Sequence, residues 1–348
     1  MAKFIGSSGD DNLLGEESDD VLKGLDGDDF IFGGYGADRL VGGKGDDGLD
    51  GADGDGAHDT MLGGGGDDRI NGDAGDRLDG GAGVDWFGLY LQTGNTAVKL
   101  DLNGLTKGGS LHMKDGTVVT GMESGEIRLG MGDDKVQVGD AHVAVYGGIG
   151  ADTLIGGDGA DTLGAGSGND LIEGGKGSDW VSYDSVVFGP VHVDLGIQGE
   201  AQDTGWGNTD TLISIENVQG GFGDDTLIGD NRANKLDSYA GQDTLTGGGG
   251  SDTFVFTYAG QSQAFSAVTI TDLSDEDVID LHEIDADSTT DGNQDFTLVA
   301  HFNGHAGQVI VFKSGDNTLV QMDTNGDGAA DDAIVVLGNH ADFDNFVL

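Results

Sequence analysis

The sequence has no cysteine, one proline and only 15 lysine and arginine residues in 348. Without cysteine there is no disulfide, no thiolate site and no zinc ribbon. Against 64 acids, so few cations leave a formal net charge of −49. Such a surface repels nucleic acid and anionic membranes, where affinity comes from lysine and arginine. Long apolar runs are also missing. Ala333–Leu337 is among the longest, far short of the roughly 18 residues of a transmembrane segment. The opening Met-Ala-Lys-Phe-Ile-Gly-Ser-Ser-Gly-Asp lacks the apolar stretch of a secretory signal peptide. Glutamate is scarce too, with 9 Glu against 55 Asp. Acidity that served only solubility would have no reason to avoid glutamate, whereas the shorter aspartate suits tight turns and calcium loops.

What the chain has in excess is glycine, 69 residues. Much glycine with high charge is a signature of disorder, unless the glycine is patterned, and here it is. Cutting at glycine gives Gly-Ser-Ser-Gly-Asp-Asp-Asn-Leu-Leu (6–14), Gly-Glu-Glu-Ser-Asp-Asp-Val-Leu-Lys (15–23) and Gly-Leu-Asp-Gly-Asp-Asp-Phe-Ile-Phe (24–32), then two more such units to Asp50. Aspartate recurs at Asp11, Asp20, Asp29, Asp38 and Asp47, each followed two residues later by Leu13, Leu22, Ile31, Leu40 or Leu49. The register jumps by three at Asp59, resumes at Asp68, slips at Asp76 and recovers at Asp85. A second block carries Asp134, Asp152, Asp161, Asp170 and Asp179, and a third carries Asp225, Asp243 and Asp252. Arg77, Val143 and Asn234 break the pattern, and Glu16, Glu17 and Ser18 replace three residues of their loop.

Each unit has two physical parts. Gly-Gly-x-Gly-x-Asp is a turn whose glycines accept positive φ and close backbone approach. The remaining x-apolar-x is long enough for a very short strand with its middle side chain inward. Two units make a coil of two turns and two strands, and stacked coils lie about 4.8 Å apart. Turns 18 residues apart then lie above one another. Asp11, Asp29 and Asp47 form one column, while Asp20 and Asp38 begin another. Carboxylates about 5 Å apart repel by roughly 3 kcal/mol at an effective dielectric of 20. One inward aliphatic side chain in nine residues is a thin core to set against that. A hard divalent cation between turns resolves the conflict, because it takes carboxylate oxygens together with the carbonyls of glycine-rich turns. Calcium, with six to eight flexible oxygen ligands, suits the site better than magnesium.

These units resemble the RTX (hemolysin-type) calcium-binding nonapeptide, Gly-Gly-x-Gly-x-Asp-x-apolar-x. The resemblance implies an all-β fold, a parallel β-roll or β-helix solenoid with several Ca2+ ions between its loops, and export by a type I secretion machinery. The implied organisation is an RTX block over 1–88, a β insert over 89–128, a second block over 129–182, a second insert over 183–219, a third block over 220–255 and a C-terminal module over 256–348. The inserts look like copies. Asp85-Trp86 and Asp179-Trp180 open them, Leu100-Asp101-Leu102 matches Val193-Asp194-Leu195, and both close on Gly-x-Gly-Asp-Asp. The tail is similar to the C-terminal part of serralysin-type proteins, through Gly247–Phe256, Ile270–Leu273 and Val278–Leu281. The end, Asp344-Asn-Phe-Val-Leu348, fits that family's uncleaved export signal, an acid followed by apolar residues. One further calcium candidate is Asp323-Thr-Asn325-Gly-Asp327-Gly-Ala-Ala-Asp331. It has the acid, amide and glycine spacing of an EF-hand loop, but Ile334 stands where the closing glutamate belongs and no helical pattern flanks it.

No enzyme signature emerges. There is no His-Glu-x-x-His, no Gly-x-Ser-x-Gly and no P-loop lysine. His301 and His305 sit in a turn-like segment. The repeats begin at Gly6, where an RTX enzyme would carry its catalytic domain. The expectation is a secreted, extracellular calcium-binding protein without catalysis, with a surface, matrix, adhesive or polysaccharide-binding role in which Trp206 is the specific pointer to carbohydrate. The alternatives are an accessory or remnant of an alginate-epimerase-like or protease-like enzyme, and a toxin-like protein acting on host membranes.

Overall fold

A turn of six residues followed by x-apolar-x leaves room for little strand, and the strands are short: Asn12–Leu14, Phe30–Phe32 and Gly48–Asp50 have three residues each. The computed structural model describes residues 1–51, 54, 56–91, 94–105, 108–183, 189–257, 268–290 and 292–348. No α-helix occurs among them, and strands run from Lys3 to Val347. The chain divides into two units, residues 1–165 with 170–177 and residues 166–169 with 178–348. The two inserts are described only in part.

In the first unit, odd and even repeats build separate parallel sheets. Leu13 pairs with Ile31, Ile31 with Leu49, Leu49 with Ile70 and Ile70 with Phe87. The other side pairs Leu22, Leu40, Met61 and Leu78 in turn. The step is 18 residues, then one coil of 21 and one of 17, so the two register slips in the sequence are absorbed as a longer and a shorter turn. Leu22, Ile31, Leu40, Met61, Ile70, Leu78 and Phe87 are all fully buried, one per strand. The two sides differ in a way the nine-residue period conceals. Val21–Asp26, Arg39–Lys44 and Thr60–Gly65 are six residues long, twice the expected length. They continue because the glycines of the following turn keep pairing, Gly43 with Gly64 and Gly64 with Gly81. A Cβ at Gly43 would stand 1.9 Å from the Leu25 carbonyl oxygen, so only glycine permits the approach.

The inserts leave and rejoin the stack. Lys99–Asp101 pairs in parallel with Lys135–Gly139, and Ser110–His112 forms an antiparallel hairpin with Val118–Thr120. The strand Ser124–Arg128 then lies parallel to Trp86–Tyr90. In the second unit His192–Asp194 pairs with Thr226–Ile228, Ala201–Gly205 forms a hairpin with Asn208–Ile213, and Asn217–Gln219 rejoins beside Trp180–Ser182. The second unit stacks Val181, Val218, Leu236, Phe254 and Ile279 on one side and Val193, Leu227, Leu245 and Ile270 on the other, all fully buried. It ends in an antiparallel meander, Gln308–Ser314, Asn317–Asp323 and Asp332–Val336, whose last strand lies parallel to Val268–Ile270. Phe346 pairs with Ile279, which adds the extreme C-terminus as a short parallel strand.

Candidate metal columns in the turns

Because the register repeats, the aspartates that close the turns fall into lines. The amide of Asp11 donates to Asp29 Oδ1 at 2.8 Å, Asp29 to Asp47 at 2.9 Å, Asp47 to Asp68 at 2.9 Å and Asp68 to Asp85 at 2.9 Å. The other side runs from Asp20 to Asp38 at 2.7 Å, Asp38 to Asp59 at 2.7 Å and Asp59 to Asp76 at 2.8 Å. A third line joins Asp134, Asp152 and Asp170, each bond 2.8 Å. In the second unit Asp225 donates to Asp243 at 2.8 Å, Asn234 to Asp252 at 2.8 Å and Asp252 to Asp277 at 2.9 Å. Asp161 and Asp179 are buried as well. Asp11, at the edge of its column, is half-exposed.

One carboxylate oxygen of each aspartate is thus held by a backbone amide of the preceding coil. The second oxygen is a different matter. Oδ2 of Asp29, Asp47, Asp68, Asp85, Asp134, Asp152 and Asp243 is buried without a hydrogen-bond partner. Buried acceptors in folded proteins are almost always satisfied, and a bare carboxylate oxygen costs most of all. These oxygens face a specific space. A Cβ at Gly42, the first residue of its unit, would lie 2.2 Å from Asp47 Oδ2 and 2.7 Å from the carbonyl oxygen of Gly63 in the next coil. At Gly63 the distances are 2.2 Å to Asp68 Oδ2 and 2.6 Å to the Gly80 carbonyl. A carboxylate and a carbonyl from successive coils therefore converge where any side chain would have stood. The donors are all hard oxygens, the set calcium takes. Among the described residues no three carboxylates or imidazoles gather at one point, because the columns supply acids one per coil.

Burial sets the charge state of the columns. It pushes the carboxyls of Asp47, Asp76, Asp225 and Asp252 up to about 6 and those of Asp68, Asp152 and Asp243 up to about 7, against the pull of the amides they accept. Neighbouring acids add to the rise: Asp47 acts on Asp68, and Asp225 on Asp243. Burial raises Asp29, Asp85 and Asp134 likewise. Asp20 goes the other way, held low by the amides of Ala2 and Glu16.

A second, outer ladder explains the Asp-Asp doublets. In these doublets the first acid accepts from the coil that follows: Asp10 Oδ1 from the Asp28 amide at 3.0 Å, Asp28 from Asp46 at 2.9 Å and Asp46 from Asp67 at 2.7 Å. These outer acids are exposed, and they bind the coils together from the opposite direction.

Besides Asp59, four column members lie off the nine-residue period. Asp76 follows the eight-residue slip. Glu123 accepts the Asp85 amide at 2.8 Å and Glu216 accepts the Asp179 amide at 3.1 Å, so a glutamate from each insert carries the column on. Asp277 continues it beyond Asp252. The signal was in the motif at Asp76. At the other three only the closed coil brings the carboxylate into line. Asn234, in an aspartate position, turns its Oδ1 to the Asp230 amide at 2.7 Å and its Nδ2 to the Glu216 carbonyl at 2.7 Å.

The Asp323–Asp331 loop joins two antiparallel strands, not two helices. Asp323 is fully buried and accepts the amides of Gly326 at 2.7 Å and Gly328 at 3.0 Å. Asp331 accepts those of Thr324 and Asn325 at 2.7 Å and 3.1 Å, and Asp327 accepts that of Ala329 at 2.8 Å. Asn325, Asp327 and Asp331 are exposed. His301 and His305 lie outside any cluster of metal-binding side chains among the described residues.

Stacked parallel coils, turns closed by buried aspartate and carbonyls converging beside them define a calcium-binding parallel β-roll. The model of the RTX calcium-binding nonapeptide repeat matches the chain in four copies, at 5–34, 24–57, 53–87 and 146–181, and the Peptidase M10 serralysin C-terminal model matches 207–348. The chain is an RTX-repeat protein with a serralysin C-terminal domain. Neither match is to a catalytic domain. No curated protein matches the chain. RTX repeats bind calcium, several ions to a repeat region, and the two modules together mark a type I secreted, extracellular protein. No helix among the described residues is long and apolar enough to cross a membrane.

Proposed function

We propose that calcium binding in the Asp columns is what folds this protein outside the cell, and that the folded chain is a non-catalytic surface or matrix protein that binds polysaccharide. The observation that carries the first half is the set of seven buried, partnerless Oδ2 atoms. Asp29, Asp47, Asp68 and Asp85 would hold ions along one column, Asp134 and Asp152 along a second and Asp225 and Asp243 along a third, beside backbone carbonyls of adjacent coils. Asp11 and Asp170 extend the first two of these columns, Asp20, Asp38 and Asp59 would bind along the opposite side of the first block, Asp161, Asp179 and Asp252 would serve further turns, and Asp323, Asn325, Asp327 and Asp331 form a separate loop site. Calcium supplies the positive charge that buried acids require. The residues orient it and close the coil over it.

At the scarce calcium of the cytosol, self-repulsion at −49 keeps the chain open and suited to threading through an exporter, with Asp344–Leu348 as its signal. Outside, a site whose Kd lies a hundredfold below ambient calcium adds about 2.7 kcal/mol, so several coupled sites suffice to fold the chain. The six-segment organisation of blocks, inserts and C-terminal module serves this reading. Calcium titration calorimetry of the full chain tests the ligand assignment. Several ions bound, and fewer in a variant combining Asp47→Asn, Asp68→Asn and Asp152→Asn, is the expected result. Unchanged stoichiometry and affinity in that variant would remove the columns as the sites.

A further inference from the structure

Four non-glycine residues among those described have a left-handed backbone, Leu25, Trp206, Ser214 and Tyr239. Two are aromatic, Trp206 and Tyr239, and both lie in the second unit. Trp206 is at the tip of the Ala201–Gly205/Asn208–Ile213 hairpin, 71% exposed. Its ring lies on Gly189, where a Cβ would be 2.0 Å from Nε1, Cε2 and Cζ2. The indole rests against the Gly189 backbone while most of the residue is exposed. In the next coil Gly223 packs on Gly189 and Pro190, and in the one after it Gly241 packs on the Gly223 carbonyl. Phe222, beside Gly223, is 48% exposed and meets the half-buried Tyr239 ring edge-on at 5.0 Å. Trp206, Phe222 and Tyr239 thus form an aromatic strip along successive coils.

Two of these rings sit on an unusual backbone. Tyr239 occupies the second position of its repeat, Ser238-Tyr-Ala-Gly-Gln-Asp243, where the motif supplies glycine and φ is +60°. A bulky residue there carries backbone strain, which persists where a function selects it. A hairpin tip likewise favours glycine or asparagine over tryptophan. Asp203, Asp224 and Gln242, two or three residues from Trp206, Phe222 and Tyr239 in sequence, are exposed and carry hydrogen-bond acceptors.

We infer that the Trp206–Phe222–Tyr239 strip binds an uncharged polysaccharide, with the glycan laid along the turns and a sugar ring stacked on the exposed indole of Trp206. Aromatic planes complement the C–H faces of sugars, and the flanking carboxylates and amide accept from their hydroxyls. The net charge of −49 disfavours a polyanion. This inference rests on the polysaccharide-binding reading above and assigns it a site.

The test is affinity electrophoresis of the calcium-loaded full chain through gels containing dextran, laminarin, hydroxyethyl cellulose, polygalacturonate or poly-lysine. Retardation by at least one of the three neutral glycans, weakened about tenfold or more in Kd (about 1.4 kcal/mol per decade) by Trp206→Ala, is the expected result. Tyr239→Gly restores the residue of the repeat and should weaken retardation while keeping the calcium-induced circular dichroism change. It therefore decides the matter if Trp206→Ala fails to fold. Neutral-glycan binding that both variants retain in full would overturn the strip and leave the broader reading standing. A wild-type chain retarded by no polysaccharide would overturn both, and retardation only by polygalacturonate or poly-lysine would overturn the uncharged class.

Discussion

At Asp68 two requirements compete. The Asp47 amide needs Oδ1 as acceptor, which an asparagine can also supply, while the buried Oδ2 has a use only if a cation meets it. Asp68→Asn should therefore act with opposite signs in the two states. In calcium it should raise the half-saturating concentration for folding about tenfold, equivalent to about 1.4 kcal/mol. In chelator at neutral pH it should ease compaction, since it removes a carboxylate that burial resists ionising. Calcium titrations followed by circular dichroism, and thermal melts in chelator, read the two effects; a variant shifted in the same direction in both states would contradict the assignment. Gly63→Ala tests the space itself. Its Cβ would meet both Asp68 Oδ2 and the Gly80 carbonyl, so it should abolish binding in that turn and cost about 1–3 kcal/mol by overpacking. The column aspartates were legible because the motif repeats them. Glu123, Glu216 and Asp277 were not, because their coils close over 38, 37 and 25 residues and no local spacing marks them.

At the level of single elements, each short strand contributes one inward side chain, so the loss of one is felt across a whole coil. Ile70→Ala, at a fully buried position between Leu49 and Phe87, should cost about 2–5 kcal/mol in the calcium-loaded state, measured by denaturant titration. A loss below about 0.5 kcal/mol, the usual effect of a surface substitution, would mean that the core does not run through this line. Parallel pairing, inward residues and even the two slipped coils follow from the nine-residue period. The six-residue strands do not, since glycine runs in sequence signal turns, and only stacking shows that Gly43, Gly64 and Gly81 pair with one another. The C-terminal strand is another case. Its apolar residues suggested an export signal, and the fold also pairs Phe346 with Ile279. Deleting Asp344–Leu348 should stop export by a type I system while leaving the calcium-induced spectral change in the repeats. Export at the wild-type level would remove the signal from that segment.

Across the whole molecule the proposed columns should make folding depend on both pH and calcium. Carboxyls raised by burial from 3.8 to about 6 or 7 hold their protons more tightly folded than unfolded. Their contribution to the metal-free fold is complete below about pH 4 and is lost as the pH rises through 6 to 7. Calcium needs the ionised form, so its hold on the fold strengthens across the same window. Circular dichroism in chelator should therefore gain β signal between pH 8 and pH 5, while the calcium midpoint rises. A β signal in chelator that fell on acidification would contradict the burial of the columns.

The most direct test of the central claim is small-angle scattering of the full chain at pH 7.5 with excess chelator and then with millimolar calcium. Metal-free, the radius of gyration should approach the roughly 67 Å of an unfolded chain of this length, and calcium should reduce it to less than half. A small radius that is the same in chelator and in calcium would show that the aspartate columns stand without metal, and the account would fail.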